Sequence, residues 1–276
     1  MYTEYWKLRV RPFENRCDSE FYYPAESHQA AILKLRFAIE NRRAAALVCG
    51  PSGVGKSVLI SAIRRQLPEQ FRPLCQVVFP TLKSEQLLRY MVDLLDTEHS
   101  SSDQCAAAAL TRFERFLNAN LDEKRHAVIV IDEAHLLEQN GLLEPLRLLL
   151  NCSADRAIGE SAWTLVLAGQ HTLLSQIDRH PALDERLAIK CVVNRFQPEE
   201  TGGYIQHRVR AAGGNAEQIF DSTALDAIHN ISQGIPRRIN RLCDLALMVG
   251  YAEDLPQITD QVIDCVQNEL AAPSLS

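Results

Sequence analysis

"AAALVCGPSGVGKS" spans Ala44 to Ser57. Its first half is a short run of small and branched apolar residues, the composition of a strand buried on both faces. Its second half fits G-x-x-x-x-G-K-[ST] in every fixed position, and the residues from Ser57 to Leu67 continue at a helical period. Strand, glycine-rich loop and helix in that order make a phosphate cradle. Glycines let backbone N–H groups curl around phosphate oxygens, and the new helix directs its partially positive end at them. A ligand-free glycine turn is the plainer reading of the letters, but the strand before and the helix after argue against it. Gly50, Pro51, Ser52, Gly53, Val54, Gly55, Lys56 and Ser57, with Val58 behind them, are the expected nucleotide contacts. Lys56 is the residue type that reaches the β- and γ-phosphates of ATP, and Ser57 the one that ligates Mg²⁺.

A second apolar run, "VIVIDEAHLL" (Val128 to Leu137), ends in two carboxylates some 75 residues downstream. Asp132, at the end of a buried strand, is suited to hold the Mg²⁺ shell. Glu133 is placed to activate the attacking water, work that needs a carboxylate near the γ-phosphate. Both acids also suit the start of a helix, where Asp and Glu are favoured. His135 has three readings: contact with Glu133, contact with a neighbouring subunit, or a plain surface histidine.

Around these motifs the pattern alternates. Helical spacing over Ser27 to Glu40 precedes the first strand; "CQVVFP", "HAVIVID", "AWTLVLAG" and "AIKCVV" read as four more strands, with helices between. Leu142, Leu143, Leu146, Leu149 and Leu150 line one helical face. After Phe196 strand signals stop, and four helical patterns follow near 198–212, 221–232, 236–250 and 259–270. Continuous apolar strands alternating with helices predict an α/β fold, a three-layer αβα core around a parallel sheet, followed by an all-helical lid. The expected divisions are an N-terminal segment 1–43, a nucleotide-binding core 44–196, a helical domain 197–270 and a tail 271–276.

The D-E-A-H letters also occur in helicases, but those need two such cores, and nothing after Phe196 resembles a second phosphate loop. Bulk composition excludes little else. Hydrophobic residues make up 46% and charged residues 23% of the chain, ordinary globular values. A net charge of −6 gives no global pull toward nucleic acid or anionic membrane. No apolar run approaches the roughly 18–20 residues that span a bilayer, and the N-terminus lacks the apolar centre of a signal peptide. The 8 cysteines are scattered without a CxxC pair, which speaks against zinc or thioredoxin chemistry and for a reduced, cytoplasmic setting. Cys49, Cys191 and Cys243 fall in apolar runs and are expected to be buried.

"YWKLRVRPFENRCDSEFYYPAESHQAAILKLRFAI", "IDEAHLL", "LVLAGQ" and "GIPRRINRLCDLAL" together resemble the general secretion pathway protein A family, the ExeA/GspA type of AAA+ ATPase, over residues 2 to about 270. Transposition ATPases of the MuB and TniB/TnsC kind share parts of the pattern. The resemblance implies a P-loop NTPase of the AAA+ type that hydrolyses ATP with Mg²⁺ in a homo-oligomer and acts on a protein client. It implies a sensor-1 role for Gln170, which as a residue type also suits an ordinary turn. It implies an arginine finger, reaching a neighbour's ATP, for Arg186; a salt bridge with Asp184 or Glu185 is the alternative. Arg237 matches the sensor-2 arginine, with Arg238 beside it, whereas Arg208, Arg210 and Arg241 are expected on a solvated face. Ile205, Tyr22 and Tyr23 suit either an adenine pocket or core packing.

Two departures stand out. The family's asparagine at the end of the second strand corresponds to Phe79, which has no hydrogen-bond donor, and Thr81 is a weak substitute. The secretion-type protein continues into a transmembrane helix and a periplasmic region, whereas this chain stops at Ser276. The resemblance implies a cytoplasmic protein, peripheral at the inner membrane through a partner. The other function class is an ATP-dependent DNA-associated regulator. Its signature would be basic residues lining an oligomer, for which Lys34, Arg36, Arg42, Arg43, Arg64, Arg65 and Arg72 are candidates.

Overall fold

The computed structural model describes residues 1–14, 19–96, 105–152 and 161–271. The chain divides into two compact units: residues 27–50 with 59–193, and residues 1–26 with 51–58 and 194–276.

The first unit is built on a five-stranded sheet: β1 (Ala45–Cys49), β2 (Leu74–Val77), β3 (Ala127–Ile131), β4 (Trp163–Gly169) and β5 (Leu187–Val192). The order is β2-β3-β4-β1-β5 and every pairing is parallel. Every residue of β1, β3 and β4 is buried, which is why these strands read as unbroken apolar runs rather than alternating ones. The edge strand β5 alternates in exposure along most of its length. Trp163 anchors the core, fully buried and edge-on to Phe113 at 5.4 Å. The helices Glu26–Glu40, Ser84–Leu95 and Ala106–Asp122 lie where the helical periods predict them.

Two elements are shorter than expected. The second strand stops at Val77, whose carbonyl accepts from the Asp132 amide at 2.9 Å; Val78 and Phe79 lie beyond the pairing and are exposed. The leucine-rich helix covers only Leu143–Leu149, because two 3-10 turns (Ala134–Leu136 and Glu138–Asn140) intervene after β3.

Parallel strands bring all their C-terminal ends to one edge. There β4 lies between β1 and β3, with Gly169 opposite Cys49 and Leu167 opposite Ile131. The amide of Gly50 donates to the Gly169 carbonyl at 3.2 Å, extending that edge by one residue.

The second unit is helical. Pro198–Ala211, Ser222–Ser232, Pro236–Ala252 and Asp260–Ala271 match the four helical patterns, and a short turn, Ala216–Ile219, had no visible period of its own. Helix starts follow local chemistry. Pro198 and Pro236 occupy first-turn positions that need no N–H, and Asp221 caps the Ala224 amide at 2.7 Å. The N-terminal residues Tyr2, Trp6, Leu8, Phe13 and Phe21 join this core rather than preceding it as a free arm. The N-terminal segment 1–43 thus contributes to both units, through residue 26 to the helical one and from residue 27 to the sheet.

Arg208 corrects an expectation. It is buried, not solvated: Nε donates to the Pro12 carbonyl at 2.6 Å, Nη2 to the Glu14 carbonyl, and the guanidinium lies 4.8 Å from the Phe21 ring centre. The N-terminal segment supplies backbone acceptors that no helix-period reading could foresee. Arg210 and Arg241 are exposed as expected. Cys49, Cys191 and Cys243 are buried, and Cys17 lies outside the described residues.

Candidate functional site

The phosphate loop groups with the helical unit. Gly53 (φ 81°) and Gly55 (φ 103°) both take left-handed backbone, the conformation that favours glycine, and helix Lys56–Gln66 opens directly after them. Lys56 is almost wholly buried, and its Nζ donates to the Pro51 carbonyl at 3.0 Å, so the ammonium is folded back over the loop. Ser57 is exposed at the helix start and Val54 fully buried beneath. The Gly53 carbonyl accepts from the Arg237 amide at 3.2 Å. A Cβ on Gly53 would meet the Arg237 Cβ at 2.9 Å and the Ile235 Cγ2 at 3.2 Å, so glycine is required there for space as well as conformation. Arg237 and Arg238 both expose their side chains.

The acidic pair follows β3 in the sheet unit. Asp132, 9% exposed, is held from two sides: Oδ1 accepts from the Glu133 amide at 2.9 Å and Oδ2 from Gln76 Nε2 at 3.2 Å. Glu133 has left-handed backbone (φ 50°) and its side chain makes no cap bond to the turn that follows. Helix capping therefore does not account for it. Its Oε2 lies 3.3 Å from His135 Nδ1. Of the readings of His135, the contact with Glu133 is present in the fold. The His135 carbonyl accepts from Gln176 Nε2 at 2.8 Å.

Gln170, half-buried, follows β4 and accepts through its backbone carbonyl from Leu173 at 3.0 Å, which leaves its side-chain amide outside that turn. The strand order sets it between the ends of β1 and β3. Arg186 is exposed at the start of β5. The alternative pairing, with Asp184 or Glu185, is not what the fold uses: Arg186 Nη2 donates to Asn151 Oδ1 at 2.8 Å, and Lys190 takes Asp184 instead. Ile205 is fully buried in the helical core, and Tyr23 packs on Phe196, Tyr204 and His207 at 5.8–5.9 Å, so both serve packing. Tyr22 is half-buried, and burial raises its hydroxyl above the usual tyrosine range.

Gln76 and Gln176 escaped sequence reading. Gln76 did leave a trace, a lone amide inside the apolar run of β2; Gln176 left none, since a polar residue on a short helix is unremarkable. Among the described residues no group of His, Cys, Asp and Glu forms a metal cluster of its own.

A family model described as an AAA domain matches residues 39–177, half of the chain. The chain belongs to the AAA domain family. As an AAA domain protein it is 29% identical over 98% of its length to general secretion pathway protein A of Aeromonas hydrophila, of which it spans 49%. The fold is that of P-loop NTPases of this family. The Cdc6p structure from Pyrobaculum aerophilum superposes with a TM-score of 0.70 at 16% identity, covering 94% of this chain and 70% of that one. The Aeropyrum pernix ORC2 protein in its ADP form gives 0.69 at 15% identity, covering 94% and 72%. At such identities these two likenesses speak for the fold alone.

Proposed function

We propose that this AAA domain protein binds and hydrolyses Mg-ATP in a homo-oligomer and couples hydrolysis to assembly or remodelling of a partner protein complex. The phosphate loop carries the reading: two left-handed glycines, a buried lysine turned over them, and a helix opening at Lys56. That combination is what a phosphate-binding loop requires.

The roles follow from chemistry. Backbone amides of residues 50–57 cradle the phosphates, and Lys56 exchanges its loop carbonyl for phosphate oxygens at little cost, because its ammonium already faces the loop. Ser57 and Asp132 would hold Mg²⁺ through oxygen, and Asp132 is oriented for it by Gln76 and by the Glu133 amide. A cation held there would supply positive charge against the charge that develops on the phosphates. Glu133 takes a proton from water as the water oxygen attacks the γ-phosphorus; the bond to the bridging oxygen breaks and ADP leaves. Gln170 orients that water or the γ-phosphate. Arg237 reports the γ-phosphate to helix Pro236–Ala252. Arg186 stabilises charge on a neighbour's ATP, a task for a planar, permanently charged guanidinium.

The likeness to a general secretion pathway protein A supports an envelope-assembly client and a cytoplasmic position, peripheral at the inner membrane through a partner. The chain spans about half of that relative, so the client stays part of the proposal. Among the described residues no helix is long and apolar enough to cross a membrane.

The test is nucleotide binding beside phosphate release. The parent should bind ATP and release phosphate with Mg²⁺ present. Lys56→Ala should lose binding, and Glu133→Gln should keep binding while losing release by about 10²–10⁴-fold. Phosphate release by Glu133→Gln at the parent rate would overturn the assignment of the base.

A further inference from the structure

Beside the Glu133 carboxylate stands an imidazole that the phosphate loop and acidic pair do not account for. Only 14% of the His135 side chain is exposed, against 47% for Glu133. The backbone under that ring is braced at two points. Gln176 Nε2, itself nearly buried on helix Thr172–Asp178, donates to its carbonyl at 2.8 Å. Its amide nitrogen also lies so near Gly169 that a Cβ there would come within 3.1 Å. A covered ring thus faces, at 3.3 Å, a carboxylate oxygen that is itself buried, and among the described residues neither Nδ1 nor Oε2 makes a hydrogen bond in this geometry. Phe79, beyond the end of β2, has no group that could hold Glu133 instead.

We propose that His135 is a positioning residue for Glu133: a small turn of the carboxylate, already 3.3 Å away, lets Nδ1–H donate to Oε2 and leaves Oε1 to accept the water proton. A general base works only within hydrogen-bond reach of the proton it takes, and a carboxylate free to rotate spends much of its time elsewhere. Donation requires only the neutral ring with its proton on Nδ1. Gln176 extends the arrangement, because it ties the backbone that carries the imidazole to the helix following β4. The role rests on the hydrolysis reading above.

The experiment compares the full chain with His135→Ala, His135→Leu and His135→Asn. The asparagine amide nitrogen falls close to where Nδ1 stood and keeps a donor, whereas leucine keeps bulk alone. His135→Ala and His135→Leu should lose roughly 10–100-fold in kcat while KM for ATP changes within about twofold. His135→Asn should recover most of the loss. A parent that turns over ATP while His135→Ala keeps its kcat, or an asparagine no better than leucine, would overturn the role and leave hydrolysis standing. A parent that binds ATP without turnover contradicts the hydrolysis reading, and the positioning role falls with it. A second measurement reads the contact without turnover. In side-chain nitrogen NMR of the full chain, Glu133→Gln should move the His135 Nδ1 resonance; an unmoved resonance overturns the contact whatever the kinetic variants do.

Discussion

The main-chain N–H of Arg237 donates to the carbonyl of Gly53 at 3.2 Å, so the first turn of helix Pro236–Ala252 is built onto the phosphate loop. Gly53 permits this by lacking a side chain and by its φ of 81°. Gly53→Ala should destabilise the chain by about 1–3 kcal/mol and weaken nucleotide binding with it. Urea midpoints and ATP titrations check both; unchanged values would mean that the loop yields freely at this point.

Gln76 is predicted to act on the metal through Asp132. Gln76→Leu removes the donor to Oδ2, so the carboxylate loses a bond that orients it. The Mg²⁺ concentration for half-maximal turnover should rise about tenfold at saturating ATP. A magnesium titration of parent and variant decides this, and coincident curves would remove Gln76 from the site.

Stability should fall in mild acid because of His126. Burial chiefly, and the nearby Arg42 charge second, push this imidazole down from 6.5 to about 4, with the Ser161 backbone offsetting part of the shift. The unfolded chain then takes the proton at higher pH than the folded one. The contribution is therefore fully present above pH 6.5 and drains away as pH falls through 6.5 toward 4, by roughly 3 kcal/mol in all. His126→Gln keeps a donor for Thr164, which accepts from Nε2 at 2.8 Å in the parent. Urea midpoints between pH 7.5 and 4.5 should slope less steeply in that variant.

Glu133 should trade stability for chemistry. At φ 50° a non-glycine residue costs about 1–2 kcal/mol, while glycine there adds back roughly 0.5–1 kcal/mol of chain entropy. Glu133→Gly is expected to unfold at slightly higher denaturant, by about 0.5–1 kcal/mol, with phosphate release lost. A destabilised variant would show that the Glu133 side chain contributes to the fold beyond its strained backbone.

What the sequence made legible follows a physical divide. Strands β1, β3 and β4 are buried on both faces, so their apolar runs stand out, and the phosphate loop carries its glycines at fixed spacing because its backbone demands them. Asp132 and Glu133 were readable because a strand end points at them. The end of β2 was not, since Val78 and Phe79 are as apolar as the strand they follow yet have no pairing left. Arg208 was misjudged for a similar reason. Its partners are backbone carbonyls of Pro12 and Glu14, nearly two hundred residues away, and carbonyls leave no mark in a sequence. Gln76, Gln176 and the Asn151 partner of Arg186 are single side-chain contacts across distant elements, invisible to periodicity.

Completion of each ATP site by a neighbour's Arg186 is the central claim, and mixing two inactive variants tests it most directly. Glu133→Gln retains the arginine, and Arg186→Ala retains the base, so each lacks what the other holds. Both should be inactive alone while binding ATP. Mixed, they should regain turnover, because some interfaces then pair an intact Glu133 with an intact Arg186. Turnover that stays absent across all mixing ratios, or an Arg186→Ala protein as active alone as the parent, would contradict a shared site.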